Sequence, residues 1–185
     1  MKITHEFDVE RPSDVVWDFF QEVPSVAQCL PGAELTGTTE SGDYTGKVTV
    51  KLGPMTATFE GEATVAPDPD AKSATIRGKG VDRSGGSRGQ VEVTYVLADN
   101  AGATHVAIDA DVTLSGPAAQ FGRTGLVNEM SKRLIGEFVN CLEAKLAAPS
   151  EEAAAEIHAA REVSGLGLFF SSLWAWIKRL FGGGR

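Results

Sequence analysis

This sequence has little of what chemistry usually requires. In 185 residues there are three histidines, two cysteines and two tyrosines. His5 falls on an apolar strand face, His105 on a solvent face and His158 in a linker, so no metal-ligand spacing arises and no metal centre is expected. No nucleophile–base pair stands out either, so no catalytic residue is assigned and a self-sufficient enzyme is not expected. Cys29 and Cys141 lack a CxxC spacing and have apolar neighbours, which predicts buried free thiols. Positive charge is in the minority, 17 Lys and Arg against 25 Asp and Glu. The resulting net charge of −8 repels a phosphate backbone and argues against nucleic-acid binding. The amino-terminal residues carry no apolar run, so no secretory signal is visible and a cytoplasmic location is expected. Gly85-Gly86-Ser87-Arg88-Gly89 lacks a following Lys-Ser/Thr and leads into a strand, which discounts a phosphate loop.

Alternation and helical period supply the organisation. Residues 2–10 place Ile3, His5, Phe7 and Val9 on one face, the pattern of a half-buried strand. Pro12-Ser13 opens a short helix with Val15, Val16, Trp17, Phe19 and Phe20, and a second starts near Pro24 and stops by Pro31-Gly32. Strands follow over 43–52, 55–65, 72–81, 87–97 and 103–114, separated by Gly-Pro, Asp-Pro-Asp, Gly-Gly and Asn-Ala-Gly turns. Over 117–147 the period becomes helical, with Val127, Met130, Leu134, Phe138 and Cys141 on one wide apolar face. The sheet's inner face is the only large apolar surface that can receive it. The expected fold is therefore α+β: a curved antiparallel sheet wrapped around a long C-terminal helix, a helix-grip domain over residues 1–147. Residues 148–164 read as an acidic, Ala-rich linker with no apolar stripe tying it to the body.

The inner face is built from small residues: Gly46, Ala57, Gly61, Ala63, Ala74, Gly78, Gly80, Gly89 and Ala110. Packed interiors approach crystal density, and such a face cannot fill the space beneath a long helix. One reading is an apolar cavity lined by Phe7, Ala57, Phe59, Gly78, Phe121 and Met130, with His5, Tyr44 and Tyr95 as polar handles. The other is that the glycines permit strong curvature or bulges.

The end of the chain differs from the body. Residues 163–185 carry Lys178, Arg179 and Arg185 and no acid. As a helix, 165–181 gathers Phe169, Phe170, Leu173, Trp174 and Ile177 into an apolar stripe, with Trp176, Lys178 and Arg179 beside it. The uncharged stretch from Gly165 to Ile177 spans 13 residues, short of the roughly 20 that a membrane crossing needs. Lying in a membrane interface suits it, with cations toward anionic lipid and the whole chain peripheral to the cytoplasmic face. Docking on a partner protein or on its own domain fits the same spacing.

Three motifs carry a resemblance: Cys29-Leu30-Pro31-Gly32-Ala33, Val50-Lys51-Leu52-Gly53-Pro54-Met55, and Gly116-Pro117-Ala118-Ala119-Gln120-Phe121-Gly122-Arg123. With the order of elements, they make residues 1–147 resemble the CoxG family of carbon monoxide dehydrogenase subunits, within the START-like, polyketide-cyclase-like superfamily. The resemblance implies an accessory protein for a molybdenum CO dehydrogenase or related hydroxylase, concerned with membrane association. No tightly bound cofactor is implied. Electrons from CO oxidation reach a membrane quinone pool, so a respiratory quinone is the expected cavity ligand, and a lipid would suit the same space. The alternative within that superfamily is a small-molecule cyclase or hydrolase, or a general lipid carrier.

Overall fold

The computed structural model describes residues 1–52, 55–123 and 126–159. The chain runs β1 (Lys2–Val9), α1 (Ser13–Gln21), α2 (Val23–Cys29), β2 (Ala33–Thr38), β3 (Tyr44–Leu52), β4 (Met55–Asp68), β5 (Ser73–Asp82), β6 (Ser87–Asn100) and β7 (Ala103–Ser115). A 3₁₀ segment (Gly116–Arg123), α3 (Leu126–Ala147) and α4 (Glu151–Ala155) follow. All neighbouring strands pair antiparallel in one seven-stranded sheet of order β1-β7-β6-β5-β4-β3-β2. The α+β helix-grip architecture expected from the pattern is the one observed. The first and last long strands meet because Ile3, His5, Phe7 and Val9 pair with Ala110, Ile108, Val106 and Thr104. The Thr104 hydroxyl, itself fully buried, donates to the Arg11 carbonyl at 2.7 Å and fastens the chain where it leaves β1.

Three elements depart from the pattern read in the sequence. β2 has no counterpart in that pattern: it is a short edge strand exposed along nearly its whole length, and so shows no apolar alternation. The expected helix over 117–147 begins as a 3₁₀ turn, because Gly116 sits at φ +74° and the Ser87 hydroxyl accepts from the Ala118 N–H at 3.0 Å. The segment after Pro149 is also tied to the body. Ser150 caps α4 by accepting from Ala153 N, Ile157 packs against the core, and Ala159 N donates to the Gln28 carbonyl at 2.8 Å.

The buried core lies at one end of the grip. α1 contributes Val16, Phe19 and Phe20; α3 contributes Phe138, Cys141 and Leu142; the sheet contributes Val9, Ala74, Tyr95, Leu97 and Val106. Phe20 lies at 4.7 Å from Tyr95 and 5.9 Å from Phe138, and Phe7 meets Phe138 edge-on at 6.4 Å. Such pairs add about 0.5–1.5 kcal/mol each beyond burial.

The cysteines correct the expectation of free thiols. Cys29 ends α2 and Cys141 lies on the inner face of α3, with Cα atoms 5.3 Å apart, and they form a disulfide. The pairing joins residues 112 apart in sequence. No local spacing could reveal it, since the fold alone brings the two helices together.

Candidate functional site

Strand register sorts the inner face into rows. At the packed end, Phe7, Val106 and Leu97 stand side by side. The next row is His5, Ile108, Tyr95 and Ala74, then Ile3, Ala110, Val93, Ile76 and Val65. Beyond them lie Val112, Val91, Gly78, Ala63 and Tyr44, and after these Leu114, Gly89, Gly80, Gly61 and Gly46. Four glycines thus pair in register across β6, β5, β4 and β3.

Those glycines do two jobs. A Cβ on Gly61 would lie 1.8 Å from the Lys79 carbonyl oxygen, and one on Gly46 would lie 2.7 Å from that of Glu34. There the strand backbones approach as only glycine permits, which is the curvature reading. A Cβ on Gly80 or Gly89 would instead meet Phe59, at 3.1 and 3.5 Å. The Phe59 side chain therefore lies across the hollow that these two glycines leave.

The two ends differ in burial. No residue in the Val112–Tyr44 row or the glycine row is fully buried, although every side chain in the first row is apolar or aromatic. Above them Val127, Met130 and Leu134 of α3 are half-buried as well, while Phe138, Cys141 and Leu142 one to two turns further on are closed off. The α3 backbone comes close to β1 and to α2. The inner face of β3 to β6 is thereby left as an apolar cleft under the first half of the helix.

The expected cavity residues divide accordingly. Phe59, Gly78 and Tyr44 lie on the cleft side, Met130 is half-buried on the facing helix, and Phe121 is half-buried in the 3₁₀ segment. Ala57 is completely buried further along β4. Phe7 and Tyr95 belong to the packed end. The Tyr95 hydroxyl accepts from Gln21 Nε2 at 3.5 Å, and burial pushes the phenol above its ordinary pKa. Tyr95 is thus a wall of the core, and its polar end is already occupied.

His5 bridges sheet and helix, with Nε2 2.9 Å from the Ser131 hydroxyl. That hydroxyl donates to the Asn128 carbonyl at 2.9 Å, so the imidazole Nε2–H is the donor to serine. The neutral ring then keeps Nδ1 as an acceptor. Ser131 gives little signal in the sequence: only its i+3 relation to Asn128 and its place on the α3 face point to it.

A second polar knot has no sequence signature either. Lys145 is buried, and its ammonium donates to Gln28 Oε1 and to the Ala154 carbonyl, each at 2.7 Å. Burial holds its pKa below the ordinary lysine value. At the β5–β6 turn, buried Asp82 accepts from Ser84 Oγ, Ser84 N and Gly85 N, and these hydrogen bonds, the serine hydroxyl's foremost, hold its carboxyl below the usual range. Among the described residues no group of three His, Cys, Asp or Glu side chains is placed to hold a metal. Among them no helix is long and apolar enough to cross a membrane. The expected membrane-facing residues, Phe169, Phe170, Leu173, Trp174, Trp176, Ile177, Lys178 and Arg179, lie outside the described residues.

Residues 6–147 match the family model for CoxG, a carbon monoxide dehydrogenase subunit. The chain belongs to that family. Among solved structures, a conserved protein from Geobacillus kaustophilus superposes with a TM-score of 0.69 at 15% identity, over 80% of this chain and 95% of that one. A START superfamily protein from Mycobacterium smegmatis gives 0.53 at 11% identity, over 78% and 96%. The Zhui aromatase/cyclase from Streptomyces sp. R1128 gives 0.52 at 15% identity, over 80% and 96%. At these identities the likeness is one of fold, and it places the CoxG chain among START-like and cyclase-like helix-grip proteins. No curated protein matches the chain in sequence.

Proposed function

We propose that this CoxG-family chain is an accessory, ligand-holding protein of a molybdenum CO dehydrogenase or a related hydroxylase. In this reading it holds a hydrophobic ligand, a respiratory quinone, in the cleft beneath the first half of α3. The observation that carries the proposal is the half-buried apolar face. Val112, Val91, Ala63 and Phe59 line an inner surface that a stable domain would otherwise close, at about 25 cal/mol per Å² of apolar area. An apolar ligand would complete that burial. His5 supplies one polar contact: neutral Nδ1 suits the hydroxyl of a reduced quinone ring, and the protonated imidazole suits a ring carbonyl.

Residues 165–181 would bring the cleft to the cytoplasmic face of the membrane by lying in the interface, with Trp174 and Trp176 at headgroup depth and Lys178 and Arg179 against anionic lipid. The catalytic metals would belong to the partner enzyme. A second reading, a small-molecule cyclase, draws only on the fold shared with the Zhui protein, and turnover of a polyketide-like substrate by the purified chain would favour it.

The test is organic extraction of the gently purified protein with absorbance and mass detection of quinones, followed by titration with a short-chain analogue. Co-purified quinone and saturable binding are expected. Neither quinone nor lipid in the extract, with no saturable binding, would leave a recruitment adaptor without a ligand. For the tail, Phe169→Glu with Trp174→Glu should abolish sedimentation with anionic vesicles, and undiminished pelleting would contradict the membrane reading.

A further inference from the structure

We propose that residues 165–181 have a second seat on the chain itself: the exposed apolar lip formed by Leu35 and Val48 beside Phe59, where they cover the cleft while no membrane is present. The inference rests on the reading of cleft and tail given above.

The lip faces inward yet stands in water. Val48 pairs with Phe59 on one side and Ala33 on the other, and Leu35 pairs with Gly46, so both belong to the cleft side of the sheet. They are nevertheless 42% and 36% exposed. Both sit on β2 and β3, at the sheet edge opposite β1, which α3 approaches.

The chain leaves the body beside this lip. Ala159 N donates to the carbonyl of Gln28 on α2, and α2 packs on β2. Four residues after Gln28, the Gly32 carbonyl accepts from Thr49 N at 2.9 Å, next to Val48. Residues 160–164 can span roughly 17 Å when extended, so the apolar stripe that begins at Leu166 starts within reach.

Charge favours the same seat. Residues 163–185 carry three basic side chains and no acid, whereas Glu34, Glu60 and Glu62 lie on the strands around the lip of an acidic body. A stripe that buries itself in lipid would bury itself equally on an apolar lip of its own chain, and the two seats exclude each other. The membrane would then uncover the cleft as it captures the tail.

The test uses the full chain with a photo-cross-linking amino acid at Val48, which is exposed enough to be replaced without disturbing the core. Intramolecular cross-links to 165–181 are expected in buffer and should disappear on adding vesicles containing phosphatidylglycerol. A seat occupied about 90% of the time would weaken a short-chain quinone analogue about tenfold. In buffer, Val48→Glu and, separately, Phe169→Glu with Trp174→Glu should each restore that affinity. No cross-link to the tail, together with equal affinity in all three chains, overturns the inference and leaves the cleft reading intact. Cross-links found only in covalent dimers assign the lip to a second copy and overturn it too. If no chain binds the analogue but the cross-link forms and vesicles remove it, the seat stands and the quinone reading fails.

Discussion

The two ends of the inner face are made from the same strands and face the same helix, yet only one is finished. At the packed end, Phe20, Phe138 and Tyr95 interlock, α1 and α2 add a second layer, and a disulfide joins α2 to α3. At the open end, rows that end in Gly78 and Gly80 lie under a stretch of α3 with no fully buried side chain described. One end holds the fold and the other is free to hold something else. A protein that must keep an apolar cleft in water needs its stability elsewhere, and here it is concentrated around Phe138.

Breaking the packed end should therefore cost most. Phe138→Ala should lose about 3–5 kcal/mol of unfolding free energy, and Phe59→Ala clearly less, because its ring is only half-buried; urea denaturation of the pair measures the contrast. Cys29→Ser with Cys141→Ser should cost about 2–5 kcal/mol, since the cross-link closes a loop of more than a hundred residues. An unchanged midpoint would mean that the two helices stay together without it.

At the open end the glycines sharpen the comparison. Gly61→Ala should cost about 1–3 kcal/mol, because its Cβ points into the Lys79 carbonyl and two strands must separate. Gly89→Ala should cost much less, its nearest neighbours lying at 3.5 Å, an ordinary contact distance. If both cost the same, the glycine row serves curvature alone and the hollow under Phe59 has no separate meaning.

The smallest effect concerns Lys145. Burial lowers its folded pKa below the value of the unfolded chain. The unfolded state then binds more protons in the interval between the two, and stability rises with pH across it, up to the ordinary lysine value near 10.5. Lys145→Met should flatten that alkaline rise relative to the native chain. It should also loosen the segment around Ala154 and Ile157, which hydrogen exchange of the Ala159 amide would report.

Much of this is legible in the sequence, for a physical reason in each case. Period-two alternation exposes β1 and β3 to β7, because one face of each is wet. The helical stripe from Val127 to Cys141 exposes α3, because one side is apolar. The glycine and alanine content shows that the inner face is under-filled, but not where. Register decides that Gly46, Gly61, Gly80 and Gly89 form one row, and register depends on turn geometry rather than composition. Pairings across the fold are illegible for the same reason. Cys29 with Cys141, His5 with Ser131, and Lys145 with Gln28 all join residues more than a hundred positions apart. Edge strand β2 stays hidden because a strand wet along nearly its whole length carries no alternation. Tyr95, expected as a handle, is a core aromatic because α1 brings Phe20 and Gln21 against it.

The most direct test of the account is a titration of the full chain with a short-chain quinone analogue, comparing the native sequence with Ala63→Phe, which projects a ring into the half-buried row. Tight, saturable binding by the native chain, lost in Ala63→Phe while the urea midpoint holds, is the predicted result. Binding that survives Ala63→Phe unchanged, or an absence of saturable binding even when Phe169→Glu and Trp174→Glu remove the tail's apolar stripe, would contradict the claim that the open end is a ligand site.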